Sequence, residues 1–162
     1  MSERPAPANS TIAERVVMAF AEGWKTPHPH AWDDLLAVDI ALTQPLLRSG
    51  VGRALWQDEV ARLLSFLPDL TGEVLSWAGR GNVVFIDIVC TATLGGRPLS
   101  FRAVDRLTLG PDGRVTHRES FLDPLPVMTA AVTRPGAWLP WWRSGLGPLP
   151  GRQRFLPPKD TR

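Results

Sequence analysis

Asp105, His117 and Glu119 are the side chains of this chain best suited to moving a proton. They lie in the stretch FRAVDRLTLGPDGRVTHRESFLDP, residues 101–124, which has the pattern of two β-strands joined by a Pro-Asp-Gly turn. Side chains alternate faces along a strand, so Phe101, Ala103, Asp105, Leu107 and Leu109 share one face. By the same alternation Val115, His117, Glu119 and Phe121 share a face of the partner strand. A carboxyl on a face otherwise made of Phe, Ala and Leu has to be paired, protonated or chemically active. Burial among apolar groups favours the neutral form of a carboxyl. Asp105 is therefore the candidate acid, hydrogen-bond donor or base, with pairing to an Arg, a Trp or a backbone amide as the structural alternative. His117 and Glu119, two apart on one strand, form a candidate orienter and base. The bland alternative for that pair is a solvated outer face.

These residues need a scaffold, and the rest of the chain supplies one. Residues 1–9 form a polar lead-in. A first helix follows, with Asn9 or Ser10 as cap, Glu14 in a capping box, and Ala13, Val17, Phe20 and Trp24 on one face. After TPHPH, the segment AWDDLLA reads as a short second helix and VDIALTQPL as an extended piece. A third helix carries Trp56, Val60, Leu63 and Leu67 on one stripe and stops at Pro68. The period then changes to two. GEVLSWAG, NVVFIDIVCTATL, PLSFRAVDRLTL and RVTHRESFLD read as four strands of an antiparallel meander, and LPVMTAAV as a terminal helix. Val84, Ile86, Ile88 and Cys90 are in phase. Asp87 therefore points outward, where Arg102, Arg106 and Arg118 share its face and can pair with it. Trp24, Trp56 and Trp77 read as core or pocket wall.

The bulk numbers narrow the function. The 162 residues suit one core, and the net charge of +2 comes from 18 basic and 16 acidic residues that are interspersed. No Lys/Arg run tracks a phosphate backbone, so no nucleic-acid partner is expected. The single cysteine, Cys90, excludes an internal disulfide and a Cys-based zinc site. It sits in the apolar run VVFIDIVC and reads as a buried, inert thiol. His28 and His30 fall in a loop, and no metal or other cofactor is expected. The N-terminus lacks a signal-peptide core and no apolar run has membrane-spanning length. A cytoplasmic protein without membrane contact is the expectation.

Three features together resemble the nuclear transport factor 2-like superfamily, in particular its SnoaL-like polyketide cyclase branch. They are the opening that ends in VDIALTQP, the helix after GVGR, and the segment GRPLSFRAVDRLTLGPDGRVTHRESFLDPLPV. The resemblance covers residues 10–133, with 134–162 as a Pro/Trp-rich tail. It implies an α+β cone: a curved antiparallel sheet covered by three N-terminal helices around a mainly apolar pocket, often in a homodimer built on the outer sheet face. Asp105 matches the place where ketosteroid isomerase keeps a protonated Asp. The isomerase's base falls at Gln44, its Tyr falls near Phe20, and this chain has no Tyr. Limonene epoxide hydrolase is similar at Glu119 and loosely at Gln44, but its Arg-x-Asp pair falls on Ile86 and Ile88.

The expected function is cofactor-independent acid–base catalysis, cyclising or isomerising a hydrophobic, oxygenated, polyketide-like substrate. Asp105, Glu119 and His117 are its candidate catalytic residues. Gln44, Phe20, Trp24, Trp56, Phe101 and Phe121 are the candidate substrate contacts. A non-catalytic ligand-binding protein and an epoxide hydrolase-like enzyme are the alternatives. Trp138, Trp141 and Trp142 are expected to fold back over the pocket or onto a partner subunit.

Overall fold

α1 (Ala8–Lys25) opens the part of the chain that the computed structural model describes, residues 8–146, with side chains from Ile12 onward. Ala13, Val17, Phe20 and Trp24 are buried along one face of it, as their spacing requires. Asn9 and Ser10 lie inside the helix and are not its caps.

The expected second helix is replaced by consecutive turns. Ala31 N donates to His28 O at 3.0 Å, and Leu35 N and Leu36 N both donate to Trp32 O, at 3.0 and 2.9 Å. Pro27 and Pro29 have no N–H for a helical ladder, and Arg53 Nη1 draws off the Asp33 carbonyl at 2.5 Å. Trp32 is 1% exposed and donates its Nε1–H to Phe20 O at 3.3 Å. It lies so close to α1 that a Cβ on Gly23 would sit 2.3 Å from Trp32 Nε1. Trp24, Trp32 and Trp56 form one cluster, with ring centroids 5.0, 5.3 and 6.5 Å apart and planes crossing at 59° to 80°.

After the turns come β1 (Leu36–Thr43), β2 (Gly50–Val51) and α2 (Arg53–Phe66). The strands β3 (Thr71–Arg80), β4 (Val83–Leu94), β5 (Arg97–Leu109) and β6 (Val115–Leu122) follow. One curved, unclosed sheet results, in the order β2-β1-β6-β5-β4-β3. β3 to β6 form the expected antiparallel meander, and β1 joins it parallel to β6. The fold is α+β as expected. Among the described residues two helices precede the meander instead of three, and two more follow it: α3 (Leu125–Thr133) and α4 (Trp138–Ser144).

The inner sheet face carries Ile40, Val84, Ile86, Ile88, Leu107 and Val115, all 1% exposed or less. Leu109 opposes Val115, but Thr108 opposes His117. One step along β5 thus spans two along β6, and Thr116 is the extra residue of a β-bulge. Every β6 side chain beyond it changes face relative to strict alternation from Val115. Arg118, Ser120 and Leu122 point inward, and His117, Glu119 and Phe121 outward.

The outer face carries Phe85, Val104 and Phe121, each more than a third exposed. Asp87 pairs there with Arg102, whose Nε donates to Oδ1 at 2.7 Å, as expected. Glu119 accepts from Arg106 Nη1 at 3.3 Å. Arg118 is not on this face, contrary to expectation. Trp77 is not core either: it is 39% exposed on β3, the edge strand of the sheet.

The tail folds back. α4 packs on α2, and Trp138 Nε1 donates to Ala131 O at 3.0 Å. Arg134 Nη1 reaches the β4–β5 turn, at 3.0 Å from Leu94 O and 3.1 Å from Arg97 O. Packing therefore continues past residue 133, while the tail beyond 146 lies outside the described residues.

Candidate functional site

A cavity of about 520 Å³ lies between the inner sheet face and the helices, within the range that encloses small organic ligands. Its wall is mainly apolar, with Trp24, Trp56, Phe101, Leu122, Trp141 and Leu146 among its members. Four charged residues also line it: Asp105 on β5, Arg118 on β6, Glu59 on α2, and Arg48 in the loop after β1.

Asp105 and Arg118 form the centre. They are 1% and 7% exposed, and the bulge puts them on one face as diagonal neighbours, Asp105 opposing Ser120 and Arg118 opposing Leu107. Arg118 Nη2 and Nε donate to Asp105 Oδ2 at 2.9 and 3.3 Å. Arg118 Nη1 donates to Gln44 Oε1 at 2.7 Å. The guanidinium carbon lies 4.5 Å from the Trp56 ring centroid, in cation–π range. These bonds use three of the five guanidinium N–H groups, so two more can serve a ligand oxygen. Among the described residues Asp105 Oδ1 has no hydrogen-bond partner, and the Trp24 and Trp56 Nε1 atoms also lack one. All three residues line the cavity. A buried polar atom without a partner is costly, so unmatched groups on one cavity wall mark it as a place where polar ligand atoms are useful.

Gln44 is clamped at both ends. Its Nε2 donates to Arg48 O at 2.9 Å, while its Oε1 receives Arg118. Arg48 in turn is held by Glu59: Arg48 N and Nε donate to its two oxygens at 3.0 and 2.6 Å. Glu59 is 1% exposed. Arg48 also pairs with Asp58, which accepts from Arg62 Nε at 3.0 Å.

The structure divides the residues expected from sequence. Asp105, Gln44, Trp24, Trp56 and Phe101 all line the cavity. His117 and Glu119 do not. The bulge turns both to the outer face, where His117 Nδ1 lies 3.2 Å from Thr116 Oγ1 and Glu119 meets Arg106. Phe121 goes with them and is 52% exposed. Phe20 is 2% exposed but packs against Trp24 at a centroid distance of 6.3 Å as core, outside the cavity wall. The expected group of three proton-transfer residues on one face is thus reduced to Asp105, which has Arg118 as counter-charge and not apolar neighbours alone. Arg118 and Glu59 are the cavity residues that strict alternation and an apolar-only stripe miss. Glu59 stands three residues after Trp56 and four before Leu63, a spacing that places it on their helix face.

Cys90 is buried and also lines the cavity. Burial, and secondarily the Asp105 charge, push its thiol up to about 12. Only the thiolate reacts with alkylating agents. Labelling by neutral iodoacetamide at pH 8 should therefore be about a thousandfold slower in the native protein than in the unfolded chain. Asp105→Asn should speed it, by removing a negative charge that disfavours the thiolate. The sign for stability follows. The neutral thiol contributes fully below its ordinary value of 9.0, and that contribution is lost as pH rises toward 12.

Comparison with known proteins gives a consistent family. The family model described as the SnoaL-like domain matches residues 17–118. No curated protein matches the chain. Among solved structures, a protein from Jannaschia sp. CCS1 assigned as a SnoaL-like polyketide cyclase superposes with a TM-score of 0.67 at 22% identity, covering 80% of this chain and 96% of that one. IdmH of Streptomyces antibioticus, assigned as a polyketide cyclase, has a TM-score of 0.65 at 17% identity and coverages of 74% and 98%. AclR of Streptomyces galilaeus, assigned as a hydroxylase, has a TM-score of 0.65 at 18% identity and coverages of 77% and 83%. At these identities the likeness is one of fold, and one fold hosts many chemistries.

Proposed function

The chain belongs to the SnoaL-like domain family, and from that premise we propose that it is a cofactor-independent acid–base enzyme that cyclises or isomerises an apolar, oxygenated, polyketide-like molecule. The observation that carries this reading is the Asp105–Arg118 pair, buried in the wall of an apolar cavity with Asp105 Oδ1 unpartnered. In the proposed step Oδ1 takes a proton from carbon next to a substrate carbonyl. The C–H electron pair moves onto the carbonyl oxygen as an enolate, stabilised by the two remaining N–H groups of Arg118. The enolate carbon then bonds to a second carbonyl carbon, or, where a C=C bond extends the enolate, the far carbon of that dienolate takes up the proton. In either case Asp105 returns the proton, so no external oxidant or reductant enters. With His117 and Glu119 outside the cavity, one carboxylate serves both halves of the transfer. Gln44, engaged at both ends, holds Arg118 and does not itself anchor substrate.

The test is deuterium uptake from D2O into the methyl group of 2-acetonaphthone, an uncharged apolar ketone. The expected result is exchange at least about tenfold above buffer, abolished in Asp105→Asn protein that circular dichroism shows to be folded. No enhancement in the wild type would sink the enzyme reading. A non-catalytic binding protein is the second reading, favoured by the Arg118 pairing and by the engagement of the other wall carboxylate, Glu59, with Arg48. It predicts saturable quenching of Trp fluorescence by the same ketone without exchange.

A homodimer is part of the same proposal. Phe85, Val104 and Phe121 form an exposed apolar strip beside the Asp87–Arg102 and Arg106–Glu119 pairs, a composition that suits contact with a second copy. Sedimentation should find a dimer for the wild type and a monomer for Phe121→Asp; equal masses for the two would remove this part.

A further inference from the structure

Glu59 belongs to none of the proton-transfer steps, yet it is a fully buried carboxylate at one end of an unbroken polar chain that ends on Asp105. The chain runs from Glu59 to Arg48 N and Nε at 3.0 and 2.6 Å, and from Arg48 O to Gln44 Nε2 at 2.9 Å. It continues from Gln44 Oε1 to Arg118 Nη1 at 2.7 Å, and from Arg118 Nη2 to Asp105 Oδ2 at 2.9 Å. We propose that Glu59 is a positioning residue: by seating Arg48 it fixes the Gln44 amide, which aims the Arg118 guanidinium at Asp105. This rests on the reading of Asp105 and Arg118 as the working pair.

The direction of each bond supports the assignment. The Arg48 carbonyl can only accept and the guanidinium can only donate, so the Gln44 amide fits between them in one orientation. If Arg48 O moves, Nε2 loses its partner and the amide is no longer held in that orientation. Oε1 then no longer fixes Nη1. The loop needs an anchor for a second reason. Leu46, two residues before Arg48, holds a φ of 64°, a left-handed conformation that a branched residue keeps only where its surroundings hold it. On both sides of Leu46 the chain is fixed, at Gln44 N by Ser49 Oγ at 3.0 Å and at Arg48 by Glu59. The Glu59 carboxylate therefore acts on the cavity from the far side of the loop. Polar networks of this kind lose more than one bond when an end is cut.

Nuclear magnetic resonance of the full ¹⁵N-labelled chain tests this without substrate. The readouts are the Arg118 Nε–H and Gln44 Nε2 signals and their hydrogen exchange. Glu59→Gln is expected to speed Arg118 Nε–H exchange about tenfold or more and to shift the Gln44 amide pair. Val60→Ala, on the same helix at a residue 1% exposed, loses buried volume without touching the chain and is expected to leave both signals in place. Unchanged signals in Glu59→Gln, or the same change in Val60→Ala, would overturn the proposal. If Glu59→Gln does not fold, Arg48→Gln cuts the same chain at a half-exposed side chain. It must reproduce the signature, or the proposal falls. Failure here leaves the deuterium-exchange test of the enzyme reading untouched; failure of that test leaves the Glu59–Arg118 coupling measurable but ends its role in positioning a working pair.

Discussion

Asp105→Asn is expected to lower the unfolding free energy by about 3–5 kcal/mol, measured by urea denaturation. The substitution keeps the side chain's shape, so the loss does not come from a cavity. It comes from Arg118, 7% exposed, which keeps its charge and its place between Trp56 and Gln44 while its counter-charge disappears. Two donors now aimed at Oδ2 would face an amide that can accept but carries no charge. The complementary variant separates this cause from general damage. Asp105→Leu with Arg118→Met removes both charges and fills similar volume, and buried pairs replaced in this way are often neutral or stabilising. The double variant should regain most of the loss while lacking all proton-transfer activity. A double variant as unstable as Asp105→Asn would show that the pair is not the source. The two outcomes together split what the pair does for the fold from what it does for the reaction.

Deleting Glu119 is expected to cost about 2–3 kcal/mol or more. With one residue fewer beyond the bulge, β6 cannot keep both Arg118 and the Ser120–Leu122 end on the inner face. If Arg118 stays, Ser120 and Leu122 turn outward and Phe121 enters the cavity. If Ser120 and Leu122 stay, the bulge is unmade and Arg118 turns outward, so Asp105 loses its partner. Thr116→Ala keeps the residue count and the bulge. It should cost only about 1 kcal/mol, mainly through the Thr116 Oγ1 bond to Thr108 O at 3.2 Å. Thermal unfolding of the two variants side by side measures the difference. Equal melting temperatures would mean that the bulge does not set which residues face the cavity.

That bulge also marks where the sequence stopped being legible. The strands of the meander, the helical stripe of α1, the inward Asp105 and the outward Asp87 all follow from local periodicity, because burial on one face enforces it. The β6 strand does not, because its apolar residues give two answers. Val115 and Phe121 are six apart and agree with strict alternation; Val115 and Leu122 are seven apart and require a break. Only the pairing with β5 decides, and the decision moves His117 and Glu119 out and Arg118 in. The second helix failed for a related reason. AWDDLLA has helical composition, but the prolines before it cannot extend a helical ladder, and turn bonds and Arg53 satisfy its backbone instead. Arg118 as partner of Asp105 depends on residues distant in sequence meeting across the sheet, which no local pattern encodes. Glu59 was within reach, since its spacing from Trp56 and Leu63 puts an acid on a buried helix face.

The indole cluster carries a consequence of its own. Trp24, Trp32 and Trp56 stand within 6.5 Å of one another at steep angles, and rings so close share their electronic excitation instead of absorbing independently. Two of the three line the cavity and one lies under the Arg118 guanidinium. Light absorbed anywhere in the cluster therefore samples the ground beside Asp105. The near-ultraviolet circular dichroism of the unlabelled protein becomes an optical gauge of the cavity, sensitive to any molecule that enters it or to any tilt of the arginine above it.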